Sequence, residues 1–122
     1  VDSGHFRPVY DAASTALNDT PRNWIDERNQ IYQARRDRLL TALPHIGLEA
    51  RKQPGSLYIW AKVLEGDVTT YVEQALTSAH VSIAPGGAYG PGGASYVRLS
   101  LGTPDDRLDM AIERLKKWYA SR

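Results

Sequence analysis

At 122 residues the chain is the size of one domain with one hydrophobic core. A net charge of +1 excludes a global field that would recruit nucleic acid or an anionic membrane, and zero cysteines exclude a disulfide framework, thiolate zinc sites and cysteine nucleophiles. The opening residues VDSGHFRPVY lack a secretory pattern, and no apolar run approaches the roughly 18 residues that span a bilayer, so a soluble, cytoplasmic protein is expected.

Val9, Ala12, Ala13, Ala16 and Leu17 recur at helical spacing and predict a first helix over Pro8–Leu17. Thr20-Pro21 reads as an N-cap followed by proline at the first helical position, which predicts a second helix from Pro21 to Leu43. One side of that helix carries Trp24, Ile25, Arg28, Tyr32, Arg35, Leu39, Leu40 and Leu43. The other carries Arg22, Asp26, Glu27, Arg36, Asp37 and Arg38; with acids interleaved among the bases, it reads as a solvated face with local ion pairs.

Leu48–Gln53 predicts a strand, Pro54-Gly55 a turn, and the alternation of Leu57, Ile59, Ala61 and Val63 with Tyr58, Trp60 and Lys62 a second strand, making a hairpin. Asp67 is placed to cap a third helix with Val68, Tyr71, Val72, Ala75, Leu76 and Ala79 on its apolar face. His80, near that helix's C-terminus, reads as a cap rather than a catalyst.

Val81–Leu101, VSIAPGGAYGPGGASYVRLSL, reads as strand, glycine-rich loop, strand. The loop holds five glycines and two prolines between Pro85 and Gly93, so no helix or regular strand is expected within it. In the strand that follows, Val97, Leu99 and Leu101 face one way and Tyr96, Arg98 and Ser100 the other, which turns Arg98 away from the core. Thr103-Pro104-Asp105-Asp106 repeats the cap-then-proline device ahead of a last helix with Leu108, Ala111, Ile112, Leu115, Trp118 and Tyr119 inward. The predicted order is α-α-β-β-α-β-β-α: an α+β fold, a small, mostly antiparallel sheet with helices packed on it.

The chemistry is sparse. Gly90-Pro91-Gly92-Gly93-Ala94-Ser95 falls one glycine short of GxGxxG, and the loop runs into a strand instead of opening a helix, which argues against a nucleotide site. His5, His45 and His80 show no metal-ligand spacing, and no GxSxG elbow occurs. Arg98 stands out: a guanidinium on a short strand beside a flexible loop is placed to clamp a carboxylate through two parallel hydrogen bonds, or else to face water or pair with a surface acid.

Ser82-Ile83-Ala84-Pro85-Gly86, Ala88-Tyr89-Gly90, Gly93 and Tyr96-Val97-Arg98-Leu99-Ser100 together resemble the C-terminal segment of class I/II aminotransferases, the fold-type I pyridoxal-phosphate enzymes. Asp2-Ser3-Gly4, Phe6-Arg7-Pro8, Tyr32 with Arg35-Arg36-Asp37, and Gly55-Ser56-Leu57-Tyr58-Ile59-Trp60 resemble upstream motifs of the same family, in its order and spacing. Tyr89 stands where phenylalanine is common, and Pro91-Gly92 adds constraint to the loop.

The resemblance implies that residues 1–122 are the small, C-terminal domain of such an enzyme, with 1–20 at the junction with a large domain outside this sequence. It implies an enzyme that moves an amino group between an amino acid and a 2-oxo acid, as a homodimer. Arg98 maps onto the arginine that binds the substrate α-carboxylate, and Tyr58 and Tyr89 onto cleft-wall positions with packing as their alternative. Pyridoxal 5'-phosphate, its Schiff-base lysine and its phosphate cup are implied to belong to the large domain. No catalytic, cofactor-binding or metal residue is assigned on this chain, and the isolated chain is expected to be inactive. Two other readings share the sequence: a non-catalytic α+β ligand- or partner-binding module, and the aminotransferase-like domain of a pyridoxal-phosphate transcription regulator.

Overall fold

The computed structural model describes residue 4 and residues 6–122. Asp2, Ser3 and His5, used in the motif reading, lie outside the described residues. The chain divides into two units, Val1–Ile31 and Tyr32–Arg122. The boundary falls inside the second helix, later than the expected junction at residue 20.

In the first unit, helix α1 spans Arg7–Asp19 and buries no residue; Val9 and Leu17, two of the apolar residues whose spacing predicts it, are exposed. The Thr20 hydroxyl donates back to the Ala16 carbonyl, so this threonine terminates α1. The expected N-cap role falls instead to Pro21, whose carbonyl accepts from the Ile25 amide at the head of helix α2, Arg22–Ala42. Here the local competition between a back-bonding hydroxyl and an N-cap goes to the former.

The second unit holds the sheet and the core. From Leu39 onward α2 turns apolar side chains inward, and a 3₁₀ turn over Leu43–Ile46 carries two more. Gly47 then takes φ +70°, and its amide returns to the Leu43 carbonyl. A Cβ there would lie 2.3 Å from the Tyr119 hydroxyl, so glycine is required on two counts.

Four strands follow: β1 Leu48–Glu49, β2 Tyr58–Val63, β3 Ala84–Pro85 and β4 Tyr96–Ser100. Their order in the sheet is β1-β2-β4-β3, and every neighbouring pair is antiparallel. β1 is two residues long, not the six expected over Leu48–Gln53. It pairs Leu48 with Val63, so a long loop rather than a tight Pro54-Gly55 turn joins the hairpin.

Ile59, Ala61 and Val63 of β2 and Val97 and Leu99 of β4 face a core completed by helix α3, Val68–Thr77, and helix α4, Asp105–Ala120. Asp67 caps α3 as expected, accepting from the Thr70 amide at 2.9 Å, and that bond holds its carboxyl below the usual range. Leu76 lies on the exposed side of α3. His80 acts through its backbone: it sits at φ +56° while the Val81 amide returns to the Ala75 carbonyl. At the head of α4 the residue in the cap position is Pro104, which makes no side-chain cap bond, so Thr103 does not cap this helix.

The charged side of α2 carries local pairs, Arg22 with Asp26 and Arg36 with Asp37, and α2 also makes ion pairs with distant residues. Arg35 pairs with Asp105 at 3.0 Å and donates to the Leu101 carbonyl, and Arg38 grips Asp105 and both oxygens of Asp109. These are tertiary bonds between α2 and the start of α4. Arg36 bonds Asp37 and the Gln53 carbonyl, and Lys52 also reaches Asp37.

Candidate functional site

The β2–β4 register sets Trp60 opposite Arg98, Tyr58 opposite Ser100 and Lys62 opposite Tyr96. Because side chains alternate, these six share the sheet face opposite the core. The loop from Gly86 to Gly93 covers part of this face. It contains two 3₁₀ turns, Gly86–Tyr89 and Pro91–Gly93, where unstructured backbone was expected. Glycine and proline permit such single turns even though they forbid a longer helix.

Gly86 and Gly93 are the two loop glycines that geometry demands. A Cβ on Gly86 would lie 2.5 Å from the Gly93 carbonyl oxygen and 2.9 Å from the Trp60 ring; one on Gly93 would lie 2.2 Å from the Gly86 oxygen. The loop thus packs closely on itself and on Trp60. With that indole seated, Tyr96 stacks on it at 5.7 Å and Tyr89, at the end of the first turn, meets it edge-on at 5.9 Å.

The structure brings the three residues singled out from the sequence together. The Arg98 guanidinium carbon lies 4.1 Å from the ring centre of Tyr58 and 4.6 Å from that of Tyr89. Arg98 is half-buried, while both tyrosine rings remain exposed. Among the described residues no acid pairs with Arg98. Arg98 also borders a cavity of about 260 Å³ at the β3–β4 side of the sheet, whose lining includes the core residues Leu39, Ile83, Leu99 and Ile112. An arginine whose N–H groups are not committed can bind a planar anion in a two-bond fork.

Trp60 and Tyr96 complete this aromatic face, and neither was singled out as a site residue. The signal was there in the alternation: both fall on the outward-facing set of their strands with Tyr58 and Arg98, and only the cross-strand register shows that they meet.

The lysines do not fit the role that pyridoxal phosphate demands. Lys52 pairs with Asp37 and Lys116 with Glu113, and Lys62 and Lys117 are exposed. None of the four is buried. No described group of three or more His, Asp or Glu residues is arranged to hold a metal.

The aminotransferase class I and II family model matches residues 5–115. The LL-diaminopimelate aminotransferase of Oleidesulfovibrio alaskensis is 39% identical over 116 residues, and that of Dehalococcoides mccartyi (strain ATCC BAA-2266) 40% over 116 residues. Each match covers 94% of this chain and 30% of the relative, so the chain spans about a third of the length of the curated proteins it matches. Among solved structures, an alanine aminotransferase from Pyrococcus furiosus superposes with TM-score 0.81 at 28% identity, covering 90% of this chain and 29% of that one. An aromatic aminotransferase from Pyrococcus horikoshii superposes with TM-score 0.81 at 32% identity, covering 91% and 31%. With the match running through nearly every element, from the first helix into α4, the chain belongs to the class I and II aminotransferases.

Proposed function

We propose that this chain is the small, C-terminal domain of a pyridoxal-phosphate-dependent aminotransferase, and that Arg98 is the fork that binds the substrate α-carboxylate. The observation that carries the reading is Arg98 held against Tyr58 and Tyr89 with no acid partner among the described residues. In this reading the large domain holds the cofactor, which supplies the electron sink for bond cleavage at the α-carbon. Arg98 orients the amino acid or 2-oxo acid, and pairing with the incoming carboxylate favours closure of the small domain over the cleft. The working enzyme is a homodimer of the whole protein, and the chain alone is inactive. The names of the relatives favour a substrate of the diaminopimelate type for a first assay.

The test is Arg98→Ala in the intact enzyme. Removal of a charge-assisted pair worth roughly 1.5–3 kcal/mol raises KM for the amino acid about 10- to 150-fold, with cofactor absorbance retained. Unchanged kinetics would remove Arg98 from the site. Micromolar binding of amino acids by the 122-residue chain alone would point instead to a stand-alone ligand-binding module.

A further inference from the structure

Building on the carboxylate reading of Arg98, we propose that Tyr58 and Tyr89 are positioning residues, whose rings hold the guanidinium in place without occupying its N–H donors. The contrast with Arg35 and Arg36 of the same unit shows why this matters. Arg35 is fixed by the Asp105 carboxylate and the Leu101 carbonyl, and Arg36 by Asp37 and the Gln53 carbonyl; in each case the holding group consumes the donors it orients. An acid beside Arg98 would hold it equally well and compete with every substrate carboxylate.

An aromatic ring attracts the cation through the negative face of its π system while leaving the N–H groups free, and it adds no charge that a substrate must displace. The two rings also come from independent supports. Tyr58 stands on β2, in register with Ser100 of β4, and Tyr89 on the 3₁₀ turn over Gly86–Tyr89. Trp60 meets Tyr89 edge-on and itself sits over Gly86 and Gly93. A long, rotamer-rich side chain held this way arrives at the substrate with much of its freedom already removed.

The role belongs to the ring and not to the phenol, which makes it separable from a direct hydrogen bond to substrate. In the intact enzyme, Tyr58→Leu and Tyr89→Leu each raise KM for the amino acid about two- to thirtyfold with kcat little changed, because carboxylate binding is shared by ground and transition states. Tyr58→Phe and Tyr89→Phe stay near the parent values. In an Arg98→Ala background the leucine substitutions add nothing further. Cofactor absorbance and the thermal midpoint are followed to show that each variant is folded and loaded. Unchanged KM in both leucine variants overturns the proposal, as do phenylalanine variants as impaired as the leucine ones. If Arg98→Ala raises KM while the leucine variants do not, the positioning role fails alone; if Arg98→Ala is silent, the carboxylate reading falls with it.

Discussion

Arg98 and Tyr58 lie on adjacent antiparallel strands, and the guanidinium carbon of one stands 4.1 Å from the ring centre of the other. The pair joins residues 40 positions apart on the face of the sheet opposite the core. A cation held by a π face keeps its hydrogen-bonding capacity, and this separates Arg98 from the arginines that tie α2 to α4.

Replacement of the fork by a single ammonium tests that geometry. Arg98→Lys keeps the charge but loses the two parallel donors, so KM for the amino acid in the intact enzyme rises at least tenfold, close to the alanine variant. Recovery to parent KM would mean that charge alone is recognised.

The loop glycines divide into two classes by the space around them. Gly93→Ala forces a Cβ to 2.2 Å from the Gly86 oxygen, a backbone atom with nowhere to go, and destabilises the chain by about 1–3 kcal/mol in chemical denaturation. Gly87→Ala and Gly92→Ala meet nothing within 4 Å and leave the denaturation midpoint nearly unchanged. Equal effects from all three would contradict the packing of this loop against Trp60.

Tyr71 is nearly fully buried, its hydroxyl donates to the Ile46 carbonyl at 2.8 Å, and its ring meets Trp118 edge-on at 5.3 Å. Burial pushes its phenol up, so it stays neutral across the working range. Tyr71→Phe keeps the ring contact and removes the bond, at a cost of about 1–3 kcal/mol in urea unfolding. A neutral substitution would show that water replaces the hydroxyl.

Acid should loosen the link between α2 and α4. The hydrogen bond from Arg35, and secondarily that from Arg38, holds the Asp105 carboxyl below its ordinary 3.8. Since the folded state binds this proton less readily than the unfolded one, the contribution is present above about pH 4 and disappears as pH falls through the depressed value. Asp105→Asn therefore lowers the thermal midpoint at pH 7 by a few degrees and flattens its decline below pH 4. Parallel curves for parent and variant would show that the exposed pair contributes nothing, as many surface pairs do.

The order of elements was legible in the sequence because hydrophobic period is a local property: Val97 and Leu99 alternate with Arg98, and Leu108, Ile112 and Leu115 repeat at helical spacing, whatever the rest of the chain does. Helix starts were less legible. Asp67 behaves as its type suggests, yet Thr20 bonds backward and Thr103 leaves the cap position to Pro104. At such sites several hydrogen-bond partners lie within a kilocalorie or so of one another, and neighbouring structure chooses.

By itself, then, the sequence determined the alternation that turns Arg98 off the core face and the motif set that marks an aminotransferase. Tertiary structure alone decided which groups meet that arginine. Register between β2 and β4 and the folding of the glycine loop over Trp60 bring Tyr58 and Tyr89 to it, while Asp105 and Asp109 are taken up by Arg35 and Arg38. The physical reason is range: side-chain direction along a strand follows from the backbone, but the partner of a charge depends on every other chain segment that competes for the same space.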